Sequence, residues 1–288
     1  MNIHDHIRNL REDENYREVY VISEIGINHN GDLKTALSLI DASLEAGVDA
    51  VKFQKRDLSK IYVDKVLKDP NSAEWNIDYL IPILEEVELS SSDYETIRDY
   101  CKKASLDLII TPFDINSANF CNDLGVSAFK IGSADMTTYE LIETCQSFKK
   151  PLIISTGMWD EHEIKSAVDH YNKNFPSMNY FMLLANSTYP TPYESINLNF
   201  LRTLKRIHPY VGYSGHERGV FVPTAAQALG ASIVEKHITF DRSQTGPDHK
   251  ASMLPEEFKE MVGNIRNLSK ALGCQKIVNQ AERLAKES

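Results

Sequence analysis

The sequence is poor in cysteine, and the four it has, Cys101, Cys121, Cys145 and Cys274, are scattered with no CxxC pair. That spacing excludes a cysteine-rich structural zinc site and predicts reduced thiols in a cytoplasmic protein. No apolar run approaches the roughly 18 residues that span a bilayer. The opening, MNIHDHIRNLREDENYRE, is too polar for a secretory leader. Positive charge is in deficit: 31 Lys and Arg against 41 Asp and Glu give a net charge of −10. Nucleic acid and anionic membrane are therefore poor partners. The same deficit makes any basic residue set among apolar neighbours more informative. The turn after the first predicted strand lacks GxGxxG, which counts against a doubly wound dinucleotide-binding sheet.

What is present is a repeating unit. The 288 residues suffice for one large domain or two small ones, and a 42% hydrophobic content supports a sizeable core. Residues 1–18 read as an N-terminal extension of mixed charge, with His4 and His6 as solvated side chains on a mobile arm rather than metal ligands. From Val19, short apolar runs alternate with helical periodicity. Strands are predicted at 19–24, 50–54, 106–111, 128–131, 152–155, 180–185, 211–214 and 232–238. Helices are predicted at 33–46, 92–104, 116–124, 139–148, 161–171, 198–207, 220–229 and 255–272. Gly47 stops the first, and Ser92 with Glu95 offers a capping box to the second. A long polar segment covers roughly 55–90, a length more often functional than structural. The strands are continuous apolar runs, as parallel strands covered by helices should be. Eight strand–helix units over residues 19–272 predict a (β/α)8 TIM barrel, followed by a short polar tail at 273–288.

In such a barrel the active site lies at the carboxyl ends of the strands. Those ends carry Glu24, Asn28, His29 and Asn30; Lys52 and Gln54; Thr111 and Asp114; Lys130, Ser133 and Asp135; Ser155 and Thr156; Ser187 and Tyr189; Ser214 and His216; Lys236 and His237. Lys52 lies between Val51 and Phe53, and Lys130 between Phe129 and Ile131. Alternation then turns both lysines into the barrel. A buried charge needs a partner, and an anionic substrate such as a phosphate or carboxylate would provide one. The hydroxyls of Ser133, Ser155, Thr156 and Ser214 suit phosphate oxygens. In the last strand Glu235 and His237 point one way, and Val234, Lys236 and Ile238 the other. His216 ends the preceding strand. Two imidazoles, with oxygen from Glu24 and Asp248, suit a catalytic divalent ion: Mn2+ first, with Mg2+ or Co2+ as alternatives. A Schiff-base aldolase using Lys130 or Lys236 would leave the histidines without a role.

The sequence resembles the sialic acid synthase family, the phosphoenolpyruvate-dependent nonulosonate synthases. The resemblance is carried by SEIGINHNG (23–31), VKFQK (51–55), TPFD (111–114), FKIGSAD (129–135), ISTGM (154–158), STYPTP (187–192), GYSGHERG (212–219), EKHITFDR (235–242) and GPDHKAS (246–252). Each motif is weak alone, but together, in family order through nearly the whole barrel, they are specific. The resemblance implies that phosphoenolpyruvate adds through its methylene carbon to the aldehyde of an open-chain N-acetylhexosamine such as N-acetylmannosamine, releasing phosphate. It places the metal on His216 and His237. It places phosphoenolpyruvate on Lys52, Thr111, Lys130, Ser133, Ser155, Ser187 and Ser214. Glu24 falls on an acidic residue suited to handling the attacking water, and Gln54, Tyr189 and Asp248 fall on the sugar side.

Three departures qualify what the resemblance implies. Asp135 stands where many relatives have Glu, which preserves the chemistry. Leu184-Ala185 replaces a frequent His-Cys pair and predicts fewer polar groups near the site. A small C-terminal antifreeze-like domain, which in the family caps the partner subunit's barrel, would begin about where this sequence stops. Three arrangements stay open: a separate antifreeze-like cap protein, a different acceptor, or a barrel working uncapped, with a barrel-to-barrel homodimer still available. The alternatives to the amino-sugar synthase are the same chemistry on another aldose or sugar phosphate, and a non-catalytic phosphoenolpyruvate-binding barrel.

Overall fold

The computed structural model describes residues 1–61, 80–273 and 278–287. Eight parallel strands close into a barrel in sequence order: β1 (Tyr20–Gly26), β2 (Ala50–Lys55), β3 (Asp107–Pro112), β4 (Ala128–Ile131), β5 (Leu152–Ser155), β6 (Tyr180–Ala185), β7 (Val211–Gly215) and β8 (Ile233–His237). Closure is made by β1 against β8, which pairs Tyr20 with Ile233 and Glu24 with His237. The predicted (β/α)8 TIM barrel is therefore present, with strand ends moved by a residue or two.

Alternation builds two cores. Val51, Phe53, Ile110, Phe129, Ile131, Ile154, Met182, Val234 and Ile238 face outward and pack with the helices. Tyr20, Ile22, Ala50, Ile109, Ala128, Ile153, Phe181, Leu183 and Ile233 fill the amino-terminal half of the interior. Toward the carboxyl ends the inward positions turn polar, and that change of chemistry marks the floor of the site.

The helix Leu33–Ala46 begins at Asp32, whose carboxylate accepts from the amides of Lys34 and Thr35, and ends at Gly47 in the left-handed region (φ 83°). The helix Ser91–Ala104 is capped two residues earlier than the sequence suggested. Ser90 caps the Asp93 amide and Asp93 answers to the Ser90 amide, so Glu95 is not the box partner. Of the long polar segment, Leu58–Ile61 and Leu80–Glu86 are helical, and 62–79 lies outside the described residues. Cys101, Cys121 and Cys145 are free and buried, while Cys274 lies outside the described residues.

The N-terminal segment is not a mobile arm. Ile3–Glu12 is a helix laid across the amino-terminal mouth of the barrel. Ile3 and Ile7 join Tyr20, Ile109 and Phe181 in the inner core, each contributing about 1.5–3 kcal/mol by burial. His4 is exposed as expected, but His6 is fully buried beside Tyr16, Tyr20 and Phe181. The apolar stripe Ile3, Ile7, Leu10 turns His6 inward with it.

Candidate active site

Seven of the eight strands deliver inward side chains to a cavity of about 230 Å3 at the carboxyl-terminal mouth of the barrel. β1 supplies Glu24, β2 Lys52 and Gln54, β3 Thr111, β4 Lys130, β5 Ser155, β7 Ser214 and β8 Glu235 and His237. Ser133 and Asp135 come from a short 3-10 turn after β4, Ser187 and Tyr189 from the loop after β6, and His216 from the residue after β7. Of the catalytic, substrate and metal residues that the resemblance implied, Asp248 alone is not among those lining the cavity. It sits beside it, its Oδ2 3.9 Å from His237 Nδ1. A Cβ on Gly26 would lie 3.0 Å from Gln54 Nε2, 3.1 Å from Glu24 Oε1 and 3.5 Å from Asp248 Oδ2, so these three converge on one spot.

The two lysines enter the barrel as alternation requires, but both already have partners. Lys52 Nζ lies 2.9 Å from Glu24 Oε2 and 3.9 Å from Glu235 Oε1, and donates to Thr111 Oγ1 at 3.1 Å. Lys130 Nζ lies 4.0 Å from the same Glu235 oxygen. Glu235 thus bridges the two ammonium groups, and accepts from Ser214 Oγ at 2.9 Å.

Electrostatics follow from this burial. It would raise the Glu235 carboxyl, but Lys130 and Lys52 outweigh it and hold the group below its usual range. Glu24 is pushed the other way, by burial first, with Lys52 opposing. Burial lowers Lys130 to about 8 against the pull of Glu235. Burial also depresses Lys52, yet Glu235 and Glu24 reverse the sign and leave it raised. Two carboxylates pushed apart in one cavity are the pattern of an acid–base pair. Asp135 is raised by burial, and Asp248 reaches about 7 through burial and the nearby Glu24.

The imidazoles of His216 and His237 lie with ring centroids 5.6 Å apart. His216 Nδ1 faces the Asn186 carbonyl at 2.6 Å. That bond puts the proton on Nδ1 and leaves Nε2 as the free lone pair. His237 Nδ1 is buried without a hydrogen-bond partner. Burial holds His216 down to about 4 and His237 well below its ordinary value, so both rings are neutral, the form that ligates metal. Tyr189 stacks on His216 at 4.0 Å and meets His237 edge-on at 5.9 Å. Among the described residues no three His, Cys, Asp or Glu side chains converge on one point. Two neutral imidazoles therefore face the cavity side by side.

Several polar strand ends serve the frame instead. Asn28 donates to the Ile238 carbonyl and Ser252 Oγ. Asp114 caps the helix Ile115–Leu124. Thr156, expected to face phosphate, donates to the Leu183 carbonyl at 3.0 Å and lines an adjoining outer groove of about 1050 Å3. Leu184 and Ala185 line that groove too, so Leu184 packs outside the barrel and the cavity loses no polar group to it. Lys236 faces outward, which removes it as a Schiff-base lysine.

The site list read from sequence lacked Glu235, Arg56 and Gly157. Glu235 shares a face with His237, and that alternation was the signal that could have found it. Arg56 donates to Gln54 Oε1 and lies over the Phe113 ring at 4.5 Å. Gly157 donates its amide to Ser133 Oγ at 3.0 Å, and a Cβ there would sit 2.5 Å from Ser187 Oγ.

Residues 39–277 match the model of the NeuB family. The N,N'-diacetyllegionaminic acid synthase of Legionella pneumophila is 41% identical over 262 residues, 88% of this chain and 73% of that one. The human N-acetylneuraminate-9-phosphate synthase is 33% identical over 258 residues, 88% of this chain and 71% of its own. The crystal structure of N-acetylneuraminic acid (sialic acid) synthetase from Leptospira borgpetersenii, in complex with citrate, superposes with a TM-score of 0.80 at 30% identity, covering 94% of this chain and 90% of that one.

Proposed function

The chain belongs to the NeuB family, and on that footing we propose that it condenses phosphoenolpyruvate with an open-chain N-acetylhexosamine, N-acetylmannosamine-like, to give a nonulosonate and phosphate. It is an enzyme, a carbon–carbon bond-forming synthase. The observation that carries the reading is the pair of buried ammonium groups, Lys52 and Lys130, bridged by Glu235 in a hydroxyl-lined cavity beside two neutral imidazoles.

In this proposal Lys52, Lys130, Thr111, Ser133, Ser155, Ser187 and Ser214 hold the carboxylate and phosphate of phosphoenolpyruvate. Gln54, Tyr189 and Asp248 orient the sugar, and Asp135, its carboxyl raised by burial at the same mouth, is a catalytic group beside Glu24, Lys52 and Lys130. His216 and His237 fit a divalent cation, Mn2+ first and Mg2+ or Co2+ as alternatives. The fit rests on two neutral rings, one with its Nδ1 committed to a carbonyl and the other with a buried unpartnered nitrogen. When bound, the cation supplies a Lewis acid for the aldehyde oxygen. The methylene carbon of phosphoenolpyruvate forms the new bond to the aldehyde carbon, whose oxygen becomes a hydroxyl. The positive charge left at C2 is met by the carboxylates of Glu24 and Glu235. Water adds at C2, one of its protons passes through Glu24 to the former aldehyde oxygen, and the other leaves with phosphate as its bond to C2 breaks and C2 becomes the ketone.

The named relatives make different products, so the acceptor is the finer part of the proposal. Another aldose or a sugar phosphate is the second reading, which the human 9-phosphate synthase favours. A cap over this face, from a separate antifreeze-like protein or a second copy of the chain, would cover the exposed Met158, Tyr189 and Tyr193. A cytoplasmic location belongs to the same proposal. Among the described residues, no helix is long and apolar enough to cross a membrane.

The test is phosphate release with Mn2+, phosphoenolpyruvate and a panel of N-acetylmannosamine, diacetamido sugars and their phosphates, against a chelator control. Chelator-sensitive release with a nonulosonate product is expected. Tight phosphoenolpyruvate binding with no release for any acceptor would replace the synthase by a non-catalytic phosphoenolpyruvate-binding barrel.

A further inference from the structure

The outer face of the sheet behind the two histidines carries a buried ion pair that the reaction does not use. His216 is followed by Glu217, and His237 is preceded by Lys236. Strands β7 and β8 pair Gly215 with Lys236, so alternation sends the two imidazoles inward and the two charged side chains outward. There Lys236 Nζ lies 3.1 Å from Glu217 Oε1 and also donates to the Glu217 backbone carbonyl. Tyr213 donates to Glu217 Oε2 at 2.6 Å. Lys236 is 1%, Glu217 0% and Tyr213 2% exposed.

Stability alone does not account for such a pair. Two charges removed from water recover little net energy, and apolar residues of similar volume often do as well or better. What the pair supplies is a fixed position. Lys236 holds both the carboxylate and the main chain of the residue after His216, so β8 anchors the end of β7. Gly215 belongs to the same device. A Cβ there would lie 2.6 Å from Glu217 Oε2 and 2.6 Å from Tyr213 Cε1. Ligands that must meet one ion tolerate displacements of only about half an ångström.

We propose that Lys236 and Glu217, seated by Tyr213 and Gly215, are positioning residues that fix the spacing of the His216 and His237 imidazoles for a divalent cation. This rests on the reading of the two histidines as the metal pair. The experiment is Mn2+ binding to the metal-stripped full chain without substrates, followed by the electron paramagnetic resonance of free Mn2+, with thermal unfolding alongside. The variants are Lys236→Met/Glu217→Leu, which replaces both charges, and Gly215→Ala, which crowds the carboxylate without altering charge. The dissociation constant is expected to rise about 10–100-fold in both, with the melting temperature of the double variant at or above wild type. Wild-type Mn2+ affinity in either folded variant would overturn the positioning role. Mn2+ binding to wild type no tighter than to His216→Ala or His237→Ala would instead remove the metal reading, and the proposal with it. Should the double variant fail to fold, Gly215→Ala decides the matter alone.

Discussion

Glu235 Oε1 stands 3.9 Å from Lys52 Nζ and 4.0 Å from Lys130 Nζ, a single carboxylate oxygen shared by two buried ammonium groups. An anion entering the cavity must take over this shared contact. Lys130→Ala is therefore expected to act on phosphoenolpyruvate first, raising its KM and lowering kcat/KM at least 100-fold, a loss of about 3 kcal/mol. Steady-state phosphate release with each substrate varied in turn checks this. Unchanged constants would take Lys130 out of the site.

His216→Ala and His237→Ala are expected to abolish metal-dependent turnover while leaving the barrel folded, because both rings face the cavity rather than the apolar core. Chelator-sensitive phosphate release, read beside the circular dichroism melting curve, separates loss of the metal site from loss of the fold. Wild-type turnover in either variant would end the assignment.

Gly157 faces Ser133 and Ser187, whose hydroxyls lie 2.8 and 2.5 Å from where a Cβ would stand. Gly157→Ala should displace both hydroxyls and raise the KM for phosphoenolpyruvate about tenfold, with the acceptor KM little changed. That weakening corresponds to about 1.4 kcal/mol. An equal rise in both constants would point to general distortion of the mouth.

His6 predicts a pH dependence. Burial holds it at about 4 in the fold, against about 6.5 when exposed. Between these values the unfolded chain binds more protons, so stability is fully present above pH 6.5 and falls as pH drops toward 4. The loss from this one group at pH 5 is about 2 kcal/mol. Urea unfolding at pH 7 and pH 5 should show His6→Gln losing less stability between the two than wild type. Equal losses would mean that His6 does not titrate in this window.

The N-terminal helix closes the barrel floor through Ile3 and Ile7, both buried in the inner core. Ile3→Ala should cost about 2–5 kcal/mol and leave the KM for phosphoenolpyruvate unchanged, since the cavity is at the other mouth. A variant with full stability would show that the helix is not part of the core.

Much of the site could be read from local alternation. Lys52 between Val51 and Phe53, and Lys130 between Phe129 and Ile131, enter the barrel as a period of two demands. The same rule places Glu235 beside His237, although its importance shows only once both lysines are seen around it. The N-terminal helix had a signal too, with Ile3, Ile7 and Leu10 at helical spacing and Asn2 as its cap. Its short length and heavy charge hid that stripe. Thr156 carries no such signal, because a hydroxyl at a strand end looks the same in sequence whether it serves a ligand or, as here, the Leu183 carbonyl.

The sequence by itself determined the unit, its repetition through the barrel, and the face each strand residue takes. These are local properties, set by backbone sterics and by the period of the apolar pattern. Only the tertiary structure decided which polar ends meet. Glu24 comes opposite His237 because β1 closes on β8, a pairing across more than two hundred residues. The bond from His216 to the Asn186 carbonyl, the bridge of Glu235 between two lysines, and the anchor of Lys236 on Glu217 all depend on register between strands. Register follows from the packing of the whole barrel and has no signature within one segment.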